Sequence, residues 1–212
     1  MPRIIEKTVY QFSELSDQAK ARARDWYRST ADSSDLENVV DDFASIADTL
    51  GLQLSTHPVK LMNGTYRCDV DVNYRVAYCQ GDYAAFDGTW RYNKGCRQAL
   101  RAYAPVDSVL HSIVDQWAAL QKRYFYRLAV DCRSGRSSQG VGDIYRQAFG
   151  RYDDDQTVDG DIEREAANIV DRLSDWLYTQ LRNEVDYQNS DDQVDESITV
   201  NGYEFDENGE RV

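Results

Sequence analysis

Between residues 161 and 187 the apolar side chains Ile162, Ala166, Ile169, Leu173, Trp176, Leu177 and Leu181 recur at steps of three and four. That spacing puts them on one stripe of a long α-helix, and a helix with one apolar stripe must lay it on another element. Two shorter runs repeat the signal. Leu36, Val39, Val40, Phe43, Ile46, Ala47 and Leu50 predict a helix over 34–50 that stops at Gly51, and Val109, Leu110, Ile113, Trp117 and Leu120 or Gln121 predict one over 106–124. A further helix is expected over 13–27, with Ser16 as N-cap and Asp17 in its first turn.

The segments between them alternate instead. Val70, Val72, Tyr74, Val76 and Tyr78 fall on one face of a strand and Asp69, Asp71, Asn73 and Arg75 on the other. With 52–54 and 84–92, and with turn chemistry at Asn63-Gly64 and Gln80-Gly81-Asp82, this reads as an antiparallel meander. A short helix is expected over 95–103, two strands over 126–133 and 141–149, and a small hairpin around Glu207-Asn208-Gly209. The class is α+β, helices packed on an antiparallel sheet with a long amphipathic C-terminal helix.

Composition bounds the rest. At 212 residues, with 42% hydrophobic and 12% aromatic residues, the chain can bury a real core, and nothing in it resembles a signal peptide or a bilayer span. The expectation is a cytoplasmic protein whose Cys68, Cys79, Cys96 and Cys132 are thiols, because no C-x-x-C pair or histidine cluster accompanies them. Charge is uneven. Residues 151–212 carry 19 Asp and Glu against 5 Arg, a net of −14, whereas residues 1–150 carry 18 acidic against 19 basic side chains. On that step the chain divides into a balanced α+β core, 1–150, and an acidic helical segment with a hairpin, 151–212, packed on the same domain.

Two stretches resemble a family known for its patterns. Phe12-Ser13-Glu14-Leu15-Ser16-Asp17-Gln18-Ala19-Lys20 followed by Ala23-Arg24-Asp25-Trp26-Tyr27, then Gly81-Asp82-Tyr83-Ala84-Ala85-Phe86, resemble motifs of an accessory protein family encoded by tailed bacteriophages. Trp176, Leu177, Tyr178, Leu181, Glu184 and Tyr187, and the closing Asn201-Gly202-Tyr203-Glu204-Phe205 with Asn208-Gly209, extend the resemblance in order along the chain. Tyr83 departs from it, standing where the family has glycine. The resemblance implies a phage or prophage source, a role against the bacterial host whose cytoplasm would hold the protein, and a label of antitoxin-like; it carries over no catalytic residue.

The acidic third is the first candidate for function. Asp153, Asp154, Asp155, Asp159, Asp161, Glu163, Asp171, Asp175, Asp191, Asp192 and Asp195 could form a partner-binding surface that mimics the phosphates of nucleic acid. Carboxylates one helical turn apart stand about 6 Å from each other, near the spacing of phosphates along a strand. The targets would be host nucleic-acid-handling proteins, restriction enzymes or CRISPR effectors, with basic grooves. A solvated helix face and a loose acidic tail explain the same residues. The like-charge pairs Asp161/Glu165 and Asp171/Asp175 would each cost a helix roughly 0.2–0.5 kcal/mol.

Three other constellations are weaker. Asp155, Thr157, Asp159 and Gly160 follow a calcium-loop pattern, but Ala166 stands where a bidentate Glu belongs, so no metal is assigned. Gly81, Asp82, Phe86 and Asp87 could form a ligand loop over the aromatic sheet, for a small molecule or a toxin, or simply close two turns. Lys20, Arg22, Arg24 and Arg28 beside Trp26 and Tyr27 could touch nucleic acid, yet Asp17 and Asp25 interrupt them and a chain of net charge −13 is repelled by phosphates, so no direct nucleic-acid contact is expected. With only His57 and His111 to serve as bases, catalysis by a nucleophile and base pair is not expected, and no cofactor is implied.

Overall fold

The computed structural model describes residues 7–30, 35–134, 139–146, 156–157 and 160–212. The fold is α+β and falls into two compact units, one formed by residues 37–182 and the other by residues 1–36 and 183–212. The step in charge at residue 151 lies inside the larger unit.

The larger unit is organised around a sheet junction. Its strands are β2 (Leu52–Leu54), β3 (Thr56–Lys60), β4 (Tyr66–Val70), β5 (Val72–Arg75), β6 (Tyr83–Phe86) and β7 (Gly88–Arg91), all paired antiparallel. The runs follow one another as a meander should, but each of the three bends in the middle, at Ser55, Asp71 and Asp87, and changes partner there. β3 pairs with β4, β5 with β6, and β7 returns to β2. The three bends bond to one another in a closed ring. Ser55 N donates to Asp87 O, Asp71 N to Ser55 O and Asp87 N to Asp71 O, at 2.8, 2.8 and 3.0 Å. The N–H and C=O of all three bend residues are paired within the ring, so the three strands part company without leaving those groups unbonded. Gly88 is required next to the ring, because a Cβ there would stand 2.4 Å from Gln53 O.

From β2 and β7 the sheet extends through β8 (Leu128–Ser134), β9 (Gln139–Arg146) and β10 (Gln156–Thr157) in the order β10-β9-β8-β7-β2. Helices cover it. They are α2 (Glu37–Leu50), α3 (Cys96–Tyr103), α4 (Ser108–Arg123) and the start of α5 (Gly160–Gln188). Most of the apolar stripes predicted from spacing are buried: Phe43, Ile46 and Leu50 of α2, Leu110, Ile113, Trp117 and Leu120 of α4, and Leu173, Leu177 and Leu181 of α5 are all at most 2% exposed, whereas Val109, expected on the α4 stripe, lies in its first turn and is 52% exposed. Each of the buried side chains contributes about 1.5–3 kcal/mol relative to exposure. Trp90 and Trp117 stack with centroids 4.3 Å apart, and the Trp90 indole N–H donates to Leu50 O at 3.2 Å. Gly51, at φ +81°, ends α2 in the left-handed turn that its position demanded.

The smaller unit has its own core. A 3-10 turn at Phe12–Glu14 leads to α1 (Asp17–Thr30), whose N-terminus is capped by Ser16 Oγ accepting from Ala19 N at 3.3 Å. Phe12, Leu15, Ala19 and Ala23 pack with Val194 and Ile198 of α6 (Asp191–Val200) and with Phe205. The C-terminal hairpin forms as its turn residues predict: Phe205 bridges Arg211, and β11 (Glu204–Phe205) also pairs with β1 (Tyr10–Gln11). Gly209 lies so close to α1 that a Cβ would meet Ala19 O at 2.1 Å. The loose tail considered for residues beyond 190 is instead a helix, capped by Ser190 Oγ accepting from Gln193 N. All four cysteines are thiols, Cys96 and Cys132 buried and Cys68 and Cys79 exposed.

Candidate functional site

The stripe of α5 beside its apolar one carries Asp171, Ser174, Asp175 and Tyr178, spaced at three and four residues. Ser174 is pinned: its hydroxyl donates to Ala84 O of β6, which fixes the rotation of α5 against the sheet. The other three side chains, with Asp82, Tyr83 and Gln139, surround a hollow of about 390 Å³. The Asp82 carboxylate is held by the turn that precedes β6. Oδ2 accepts from Ala77 N at 3.0 Å and from Cys79 N at 3.3 Å, and Tyr178 Oη donates to it at 3.4 Å. Burial pushes the Asp82 carboxyl upward, but these backbone donors outweigh it and hold it below the usual carboxylate range. Asp171 goes the other way. Partial burial, then the charge of Asp175 one turn on, push its carboxyl above the usual range. Burial and the neighbouring Asp82 charge likewise raise the Tyr178 hydroxyl.

Gln139 closes the far wall by acting as a strand substitute. Its Oε1 accepts from Phe86 N at 2.8 Å and its Nε2 donates to Phe86 O at 3.2 Å. Asp175 also borders a second, smaller hollow of about 230 Å³, with Asp107, Arg172 and Trp176 around it. There the Trp176 indole N–H donates to Asp107 Oδ2 at 2.7 Å.

The sequence candidates divide. Asp171 and Asp175 meet Asp82 at the hollow, which joins the acidic set to the ligand-loop set. Asp161 pairs with Arg164 on the first turn of α5, and Glu163 is exposed there. Asp191 and Asp195 do not contribute open carboxylates: Arg24 grips Asp195 with two bonds, Nε to Oδ1 at 2.6 Å and Nη2 to Oδ2 at 2.7 Å, and Arg28 donates to Asp191 Oδ1 at 2.5 Å. Asp192, beside them on α6, is exposed. Asp153, Asp154, Asp155 and Asp159 lie outside the described residues, and with them the calcium pattern apart from Thr157 in β10. Among the described residues no group of three or more His, Cys, Asp or Glu side chains is arranged to hold a metal ion.

The ligand loop needs a correction. Residues 83–86 are a strand, and Phe86 is fully buried against Phe43, with centroids 5.2 Å apart, so it cannot meet a ligand. Asp87 is occupied at the junction, accepting from Ser134 N at 3.0 Å, and Gly81 only turns the chain at φ +99°. Of that set Asp82 alone reaches a hollow. The histidines hold structure: His57 Nδ1 sits 2.6 Å from Asp71 Oδ1, and His111 Nε2 bonds Ala104 O at 2.9 Å. The sequence offers no signal for Ser174 or Gln139 as site residues and marks Tyr83 and Tyr178 only through the phage-family resemblance, although the 171, 174, 175, 178 spacing puts four of the lining residues on one helical stripe.

An α+β domain with a carboxylate-lined hollow between one long helix and its sheet is the class that this geometry defines. The chain belongs to the family of a domain of unknown function, DUF8835, which it matches over residues 36–191. That match takes in the whole larger unit and leaves residues 12–27 and 201–209, two of the segments that resemble the phage family, outside it. No curated protein and no solved structure matches the chain. Among the described residues no helix is long and apolar enough to cross a membrane.

Proposed function

We propose that the protein is a non-catalytic binding protein that engages a positively charged partner through the acidic face of α5 and seats a lysine or arginine of that partner in the hollow between Asp82, Asp171 and Asp175. The observation that carries this reading is the lining itself: three carboxylates and two tyrosines surround the hollow, with no lysine or arginine among the described residues that line it, and Arg182 approaches it only at the Tyr178 hydroxyl. Asp171, crowded by Asp175 and partly desolvated, is a carboxylate whose charge lacks compensation, and an arriving cation supplies it. The rings of Tyr83 and Tyr178 offer the faces on which a guanidinium stacks. Glu163, exposed on the same helix, extends the acidic face. The partner class is a host nucleic-acid-handling protein with a basic groove, a restriction enzyme or CRISPR effector, in keeping with the role against a bacterial host that the phage resemblance implies.

The test is calorimetric titration with an oligoarginine peptide at low and high salt. Binding should weaken steeply with salt and fall about tenfold, or about 1.4 kcal/mol, in Asp171→Asn/Asp175→Asn. Equal affinity in the variant sinks the reading. The hollow's 390 Å³ also suits a small cationic ligand. Arginine amide binding as tightly as the peptide would favour that second reading, because the peptide's further contacts would then add nothing.

A further inference from the structure

The whole chain is strongly acidic, but one part of the larger unit is not. Between Asp87 and Asp107 there is no acidic residue, and the segment carries Arg91, Lys94, Arg97 and Arg101; between Asp115 and Asp131 there is again none, with Lys122, Arg123 and Arg127. The two segments meet. Arg91 of β7 lies opposite Ala129 of β8, and the rings of Tyr92 and Tyr126 pack with centroids 4.5 Å apart. Among the described residues Asp115 takes Arg97 and Arg101, Glu165 takes Arg123, and Asp42 accepts from the Tyr103 hydroxyl. Lys94 and Lys122 are exposed.

The turn after α4 is built at a cost. Phe125 and Tyr126 both adopt positive φ, 56° and 61°, a region that bulky side chains rarely enter. The backbone is held there by Gln121, a fully buried polar residue. Gln121 Nε2 donates to Leu128 O at 2.8 Å, Leu128 N donates to Gln121 Oε1 at 3.2 Å, and Tyr126 N donates to Gln121 O at 2.7 Å. The result displays apolar surface: Phe125 is 72% exposed and Tyr126 48%. Strain of this kind is sustained by the surrounding structure, and it gathers where side chains must be presented to something. Tyr126 packs against Tyr92 and keeps the rest of its ring open, while Phe125 stands largely in solvent.

We propose that this turn is a binding surface for single-stranded nucleic acid, with Phe125 and Tyr126 as stacking faces for bases and Lys94 and Lys122 as contacts for phosphates. The local charge fits a polyanion and the open rings fit flat unpaired bases, whose faces a duplex hides. An acidic peptide would use the lysines and leave the rings wet. The surface is separate from the α5 hollow and uses none of its residues.

Fluorescence anisotropy with a labelled oligothymidine strand tests it, using the full chain. The strand binds at low salt, and a duplex of equal length and anionic phospholipid vesicles bind more weakly. Phe125→Asn, which places at this φ a residue that tolerates it, weakens strand binding about tenfold without lowering the melting temperature. Lys94→Gln/Lys122→Gln lowers the slope of log affinity against log salt by about 1.4, at about 0.7 per phosphate contact. Asp171→Asn/Asp175→Asn leaves strand binding undiminished, which separates this surface from the hollow. The proposal is overturned if the strand does not bind at low salt, if duplex or vesicles bind as well as the strand, or if Phe125→Asn binds like the parent.

Discussion

Asp171 and Asp175 of α5 and Asp191 and Asp195 of α6 are the same device by composition, two aspartates one helical turn apart. Their surroundings make them opposites. The α6 pair faces α1, where Arg24 and Arg28 take up both carboxylates, and the Asp191 carboxyl is held below the usual range, first by its hydrogen bond to Arg28. The α5 pair faces a hollow, and Asp171 is raised. One pair holds two helices of the smaller unit together. The other is left with charge to offer. An acidic run in a sequence therefore says little until the cations within reach of it are known.

The contrast breaks most readily on binding. Asp171→Lys/Asp175→Lys should cut affinity for oligoarginine about 100-fold, roughly 2.7 kcal/mol, while the melting temperature stays close to that of the parent. A variant that unfolds early would mean the α5 pair is structural after all. Arg24→Ala is the converse. It leaves Asp195 and Asp191 without their shared guanidinium and should cost about 1.5 kcal/mol, a fall in Tm of about 5 °C, with oligoarginine affinity unchanged. Undiminished stability would show that the α1–α6 pairs hold nothing.

The smallest effect sharpens the comparison by sign. Asp191 titrates lower folded than unfolded, so the stability it contributes is present above the ordinary carboxylate value of about 3.9 and is lost as pH falls through its lowered one. Asp171 titrates higher folded, so its contribution is full below about 3.9 and is lost as pH rises through its raised value. Thermal melts between acid and neutral pH should therefore show Asp191→Asn flattening the acid-side loss, and Asp171→Asn slightly raising Tm at neutral pH. Shifts of the same sign from both variants would erase the distinction.

Much of this architecture was legible. The helices stand within a few residues of their predicted limits; α2, α4 and α5 do so because each carries a stripe of large apolar residues that the larger unit buries, and Gly51 and the 207–209 turn marked real ends. α6 was not legible: only Val194 and Ile198 of its residues are buried, too few for a periodicity to declare itself among four acids. The bends at Ser55, Asp71 and Asp87 were hidden for another reason. They are 16 residues apart and are stabilised by backbone bonds to one another, so no side-chain pattern announces them. The acidic stripe of α5 was readable, its hollow was not, since Asp82 and Gln139 arrive from distant strands. The basic, aromatic end of α4 was masked by the chain's net charge of −13, an average that hides a local reversal.

The ring at the junction also governs where this domain can change length. Any residue inserted into one of the three bent runs beside the ring would displace the strand on its far side by one position, and every inward side chain there would turn outward in two pairings at once. Additions in twos would keep the faces but shift the partners. The turn at 61–65, with Met62 wholly exposed beyond the last pair of β3 and β4, carries no such constraint. The hub is thus intolerant of a single extra residue, while its outermost arm is a place where loops can be grown, tags inserted or the chain cut and rejoined.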